Sequence, residues 1–287
     1  MAFGIPYKGS KSIYAKWVCE ALPPGKRLVD LFAGGCAVTD CAIRHYAYKW
    51  DSFLINDVFH EPLDLYIQCL KGENPVSYEW ITRDAFKEAD WPTRLVWSFG
   101  YDARTYLYGR EIEAVKRDIE TWIIAGEKTH YSGVLDNAPL PTLATQSKRY
   151  QWWRECITDL PQKDQMRVKR LENISRLENL ERPESIDRVE CSYLSYDQYT
   201  YRDGDVVYCD IPYQGTHCNQ YGEQSFDHAT FWQWARSQPF DVFVSERTIP
   251  DGVDIEILLE RDIPNRANQR GTDGYKREFL VRCRGQK

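Results

Sequence analysis

The chain has 287 residues, 43% of them hydrophobic and 28% charged, a balance that excludes disorder and leaves length for a sizeable core. No apolar run approaches the roughly eighteen residues of a membrane helix, the N-terminus has no apolar signal region, and nine scattered cysteines without a Cys-x-x-Cys pair read as reduced thiols in a cytoplasmic protein without structural zinc. A net charge of −6 repels polyanions, so any nucleic acid must be held by local basic patches.

Along the chain, Pro6-Tyr7-Lys8-Gly9-Ser10-Lys11 precedes a short apolar run, Arg27-Leu28-Val29-Asp30-Leu31-Phe32, that reads as a buried strand. Ala33-Gly34-Gly35-Cys36 then turns into a helical pattern over 37–48. A second run, Phe53-Leu54-Ile55, ends at Asn56-Asp57, and a helix is expected over 60–71. From 72 to 185 the pattern becomes helical, with helices expected over 111–126, 151–159 and 165–177 and Pro139-Leu140-Pro141 in a loop. Strand signals return at 204–210 and 240–245, around a helix at 227–238, and the tail reads as two strands, 254–259 and 277–282, joined by a polar loop. The sum is an α/β protein: a mainly parallel sheet flanked by helices, formed by 1–71 and 186–287, carrying a helical insertion over 72–185.

Two stretches carry chemistry. In Val206-Val207-Tyr208-Cys209-Asp210-Ile211-Pro212-Tyr213 a strand empties into a carboxylate, a carbonyl, a proline and an aromatic ring. Methyl transfer to the exocyclic amine of adenine or cytosine needs such a set, because the amine lone pair is delocalised into the ring. Two acceptors for the amine hydrogens pull the nitrogen toward tetrahedral geometry, and a ring stacks on the extruded base. A strand-ending turn is the plainer alternative. The strand, glycine turn and helix around Gly34 and Gly35 suit close approach of a nucleoside cofactor, and Asp57 sits at the spacing from which a carboxylate accepts ribose hydroxyls. There is no Gly-Lys-Ser/Thr at the helix start, so phosphate binding is not signalled. Gly34, Asp57 and Asp210 all fall at carboxyl ends of expected strands, where an open α/β sheet holds its ligand.

Taken in order, these motifs resemble those of the Dam-type, D12 class DNA adenine-N6 methyltransferases of bacteria and their phages. Pro6 to Lys11 is similar to the family's N-terminal cofactor motif, Asp30 to Gly35 to its glycine motif, Asn56-Asp57 to its acidic strand end, and Asp210-Ile211-Pro212-Tyr213 to its catalytic Asp-Pro-Pro-Tyr. The resemblance implies a Rossmann-like sheet and S-adenosyl-L-methionine as cofactor. It implies that Tyr7, Lys11, Phe32, Ala33, Gly34, Gly35, Asp57, Asp197 and Asp210 contact that cofactor. Asp210, Ile211, Pro212 and Tyr213 would be catalytic, and the insertion would read double-stranded DNA. Ser195-Tyr196-Asp197 and Trp97-Ser98-Phe99-Gly100-Tyr101 are looser matches, to the segment near the cofactor's adenine and to the target-recognition region. Ile211 departs from the family's proline; it keeps the carbonyl and loses one rigid ring.

For DNA contact, Lys148, Arg149 and Arg154 lie among eight basic and four acidic residues between 148 and 176, interleaved with Tyr150, Trp152 and Trp153. Arg270 stands in the polar loop of the tail. Either stretch is equally readable as a solvated face. Five histidines form no pair at metal-ligand spacing and no metal is expected. Cytosine-N4 transfer, an RNA methyltransferase and an inactive module that binds DNA and cofactor remain open on these residues. So do the recognition sequence and the oligomeric state, monomer or weak dimer.

Overall fold

In the computed structural model the described residues are 2–158, 166–180, 183, 186–214, 226–250, 252–264 and 275–285. They form two compact units, Met1–Gly72 with Leu180–Lys287, and Glu73–Asn179. The expected loop of the tail, with Arg270, lies outside the described residues, as do Asp159, Lys163 and Asp164 of the basic stretch.

The first unit is built on strands β1 (Gly25–Asp30), β2 (Trp50–Asn56), β3 (Val189–Ser192), β4 (Asp205–Cys209), β5 (Val242–Glu246), β6 (Ile255–Pro264) and β7 (Tyr275–Cys283). They join in the order β3-β2-β1-β4-β5-β7-β6. The first five run parallel, and β7 alone is reversed against both its neighbours. This is a doubly wound, Rossmann-like sheet, and the order reverses between β1 and β4, so a crevice opens at their carboxyl ends.

Helices numbered along the described residues place α1 (Ala15–Ala21), α2 (Ala37–His45), α3 (Glu61–Leu70) and α9 (His228–Ser237) in this unit. The parallel strands are apolar almost throughout because both faces are covered. Leu28, Phe53, Tyr208 and Phe243 pack with Val18 of α1 and Val38 and Cys41 of α2. Val29, Leu54, Val207 and Val244 point the other way, toward Phe231, Trp232 and Ala235 of α9.

At the amino ends of the strands Arg27 clamps Asp205 with two bonds, Nε to Oδ1 at 2.9 Å and Nη2 to Oδ2 at 2.7 Å. The phenol of Tyr199 and the Arg202 N–H also donate to Oδ2. Burial alone would raise the Asp205 pKa; these bonds outweigh it and hold the carboxyl below its usual range.

β3 and α1 have no counterpart among the expected elements. β3 is four residues with Glu190 and Cys191 exposed, so it carries no apolar run, and α1 buries only Ala15, Val18 and Cys19.

The second unit carries α4 (Arg83–Glu88), α5 (Trp91–Val96), α6 (Arg110–Ala125), α7 (Gln146–Ile157) and α8 (Lys169–Glu178). α7 starts five residues before the expected 151, because Thr145 caps it by accepting from Lys148 N. Arg170 and Glu120 form a fully buried pair at 2.6 Å, and Glu120 also takes the Tyr108 phenol. Arg149 is buried too. It donates to the carbonyls of Ile123, Ile124 and Leu143 at 2.7 to 2.8 Å, the first two being orphan carbonyls in the last turn of α6.

Candidate active site

The N-terminal segment packs against the glycine turn and α2. Residues 3–7 are buried, Ile5 N donates to Gly35 O at 3.0 Å, and Gly4 N donates to Asp40 at 2.9 Å. Tyr7 packs against the glycine turn: a Cβ on Gly34 would come within 2.8 Å of its ring, and one on Gly35 within 2.6 Å of its Cβ. Gly34 also has φ +46°, so both steric space and backbone conformation demand glycine there.

The turn is held from β2. Asp57 accepts Gly34 N on one oxygen and Phe59 N on the other, each at 3.0 Å. Asn56 donates to Leu31 O and Leu194 O and accepts from Leu194 N, which fixes the segment leaving β3 beside the end of β1. From that segment Tyr196 stacks on Phe32, with centroids 5.6 Å apart, while the next residue, Asp197, is exposed.

Asp210 follows β4. Lys11, only 5% exposed, donates to its Oδ1 at 2.5 Å. The same ammonium lies 3.2 Å from Glu278 of β7 and 4.5 Å from the centroid of the Tyr213 ring. Tyr213 in turn donates its phenol to Glu278 Oε1 at 2.5 Å, and Arg247 sits over its ring at 4.4 Å. Ile211 and Pro212 are buried. His228 Nε2 is 2.7 Å from the Pro212 carbonyl, a contact in which the ring N–H donates. Among the described residues the Ile211 carbonyl accepts no hydrogen bond. The segment 210–213 is thus more than a strand-ending turn: each of its residues is fixed by burial or by a polar partner.

Three acids gather at this end of the sheet, and none has its usual pKa. Burial pushes Asp30 up to about 7, against the Thr39 hydroxyl that donates to it. Burial pushes Asp57 to about 6, against its two backbone N–H donors. Asp210 is also raised by burial, to about 6; Lys11 opposes the rise and Glu278 adds to it. Burial disfavours the Lys11 ammonium, yet Asp210 and Glu278 outweigh burial and raise its pKa.

A carboxylate has about four lone-pair sites, so Asp57, with two used on the backbone, keeps capacity for a diol. Buried Asp30 and Asp57, half-buried Asp210 and the stacked rings of Phe32 and Tyr196 suit a nucleoside that carries positive charge. No set of three or more His, Cys, Asp or Glu fit to hold a metal occurs among the described residues.

Glu278 and Arg247 join the site without having been singled out in the sequence. Glu278 lies on the parity of β7 that buries Leu280, and a charge at an inward strand position is the one signal that marks it. Of the residues expected at DNA, Lys148 and Arg154 are exposed, Trp152 is half-buried, and Arg149 is spent on α6. The same unit has a cleft of about 570 Å³ lined by Arg83, Lys87, Arg104 and Arg110 with Asp84 and Glu113.

Residues 7–95 match the family model of the D12 class N6 adenine-specific DNA methyltransferases. The matched stretch contains Tyr7, Lys11, the glycine turn and Asp57 and ends before Asp210. Among solved structures the chain is similar to the rRNA methyltransferase aviRa from Streptomyces viridochromogenes, at 13% identity over 95% of this chain and 83% of that one, with a TM-score of 0.35. No curated protein matches the chain.

Proposed function

We propose that the protein, a methyltransferase by the family that residues 7–95 match, transfers a methyl group from S-adenosyl-L-methionine to the N6 amine of an adenine extruded from double-stranded DNA. The observation that carries this reading is the convergence at one sheet end of the Asp210 carboxylate, the open Ile211 carbonyl and the Tyr213 ring with the glycine turn and Asp57. S-adenosylmethionine, when bound, supplies a methyl group on a positively charged sulfur. Asp57 would hold its ribose, Phe32 and Tyr196 its flat face, and the buried acids its positive charge.

The rest is work for the chain's own side chains. Ionised Asp210 accepts one amine hydrogen and the Ile211 carbonyl the other, so the nitrogen lone pair is drawn out of the ring before it attacks. Since burial sets Asp210 near 6, it is mostly an acceptor at pH 7 and is lost as one below that range. The base stacks on Tyr213, on a face that the planar Arg247 guanidinium covers in this structure. Pro212 is fixed by its own ring and by the bond from His228, so the two acceptors arrive preorganised. Extruding the base costs a few kcal/mol, and Lys148, Trp152 and Arg154 of the second unit are the proposed source of compensating DNA contacts, with Arg270 of the tail.

The test is mass spectrometry of nucleosides from unmethylated plasmid DNA incubated with the protein and S-adenosylmethionine. N6-methyladenine is expected from the wild type and at least about a hundredfold less from Asp210→Asn. N4-methylcytosine, or product from both proteins alike, overturns the assignment.

A further inference from the structure

The geometry points to Glu278 as a positioning residue of this site: one carboxylate oxygen both locks the Tyr213 ring through its phenol and holds Lys11 beside Asp210, so Glu278 sets the base platform and the charge that Asp210 faces. The inference rests on the reading of Asp210 given above.

Glu278 Oε1 accepts the Tyr213 phenol at 2.5 Å and lies 3.2 Å from Lys11 Nζ, while the Glu278 side chain is only 4% exposed. A tyrosine ring free to rotate is a poor platform for a base; a phenol tied to a buried carboxylate is a fixed one. The same oxygen makes Lys11 a shared cation. With two carboxylates on one ammonium, Asp210 is less neutralised than it would be with Lys11 to itself, and the like charge of Glu278 adds to the rise that burial imposes on Asp210.

The other groups that face Asp210 are few. Asp30 and Asp57 are like charges from the ends of β1 and β2, and each senses Asp210. Arg247, after β5, opposes them. Tyr208 and Cys209 of β4 are held protonated by burial and add no charge. Glu278 is therefore the removable acid: Asp57 holds the glycine turn, and Asp30 holds Thr39 at the start of α2.

The test follows the Asp210 carboxyl carbon by NMR in the full chain without ligands, its signal assigned by loss in Asp210→Asn. The pH profile of kcat/KM for plasmid methylation is recorded in parallel. In Glu278→Gln the Asp210 midpoint moves below its wild-type value near 6, and the acid limb of kcat/KM moves with it. The plateau kcat falls roughly tenfold as the phenol loses a charged acceptor. DNA KM stays within about twofold, since Glu278 makes no DNA contact in this scheme.

Tyr213→Phe removes only the phenol donor, leaves Glu278 less shielded, and moves the midpoint the other way. It decides the matter alone if Glu278→Gln does not fold: an upward shift supports the inference and no shift overturns it. An unmoved midpoint in folded Glu278→Gln overturns it, and so does a moved midpoint that the acid limb ignores while Asp210→Asn is inactive. If Asp210→Asn methylates like wild type, the reading of Asp210 fails instead, and the NMR midpoint still shows whether Glu278 governs the carboxyl.

Discussion

Acids stand at both ends of the β1–β4 pair, and the two ends treat them in opposite ways. At the amino ends Asp205 is met by a bidentate Arg27, a phenol and a backbone N–H, and its pKa is lowered. Only a few residues along the same strands, buried Asp30 and half-buried Asp210 have fewer or contested partners, and their values rise to about 7 and about 6. One end spends its charge on holding the sheet together. The other keeps charge under strain, which in an α/β sheet is the end where ligands bind. A charged residue in this fold is therefore read by what satisfies it, rather than by its burial alone.

The largest expected effect is at the satisfied end. Arg27→Met leaves Asp205, 2% exposed, without its counter-charge, and should cost about 3 to 5 kcal/mol of stability, measured as a lowered urea midpoint at unchanged slope. DNA methylation per folded molecule should be unaffected. A variant of normal stability would show that the clamp is ornamental and would remove the contrast between the ends.

The next effect is smaller and of opposite sense. Asp30, Asp57 and Asp210 have folded-state values of about 7, 6 and 6, above the ordinary carboxylate range near 4. Between about pH 4 and pH 7 the folded chain therefore binds more protons than the unfolded one, and stability falls as pH rises through that window. Asp205 acts in the other direction, adding stability that is lost only as pH falls below the ordinary range toward its lowered value. The ligand-free protein should thus be more stable at pH 5 than at pH 7.5 by on the order of a few kcal/mol, read from urea midpoints across the range. A flat or rising profile would contradict the raised values at the carboxyl ends.

How far the sequence reached follows the same physics. The apolar runs of β1, β2, β4 and β5 stand out because parallel strands covered on both faces are written as continuous hydrophobic stretches. An acid follows directly on β2 and on β4, so Asp57 and Asp210 were legible along with the strands. β3 was not, since a four-residue edge strand with Glu190 and Cys191 exposed has no pattern to find. Glu278 escaped notice because its meaning depends on Lys11 and Tyr213, which lie far away in the chain. The basic stretch misled in part: Arg149 and Arg170 count as charges in the sequence, but one satisfies carbonyls of α6 and the other neutralises Glu120.

That distinction gives the smallest and most discriminating prediction, because the second unit poses the same question of whether a charge is already spent. Arg154 is exposed, with its guanidinium 5.7 Å from the centroid of the Tyr150 ring, and its charge is open to a phosphate. Arg149 has each guanidinium nitrogen on a carbonyl. A phosphate contact releases counterions, so Arg154→Ala should weaken DNA binding only a few-fold at moderate salt but flatten the slope of log affinity against log salt by about 1. Its unfolding midpoint should match the wild type. Arg149→Met should do the reverse, leaving the salt slope alone and lowering the midpoint, as the carbonyls at the end of α6 lose their donor. Fluorescence anisotropy across a salt series, with urea melts of both variants, reads all four quantities. A slope that changes in Arg149→Met and not in Arg154→Ala would mean that the buried arginine is released on binding, and that satisfaction in the ligand-free chain does not mark a charge as structural.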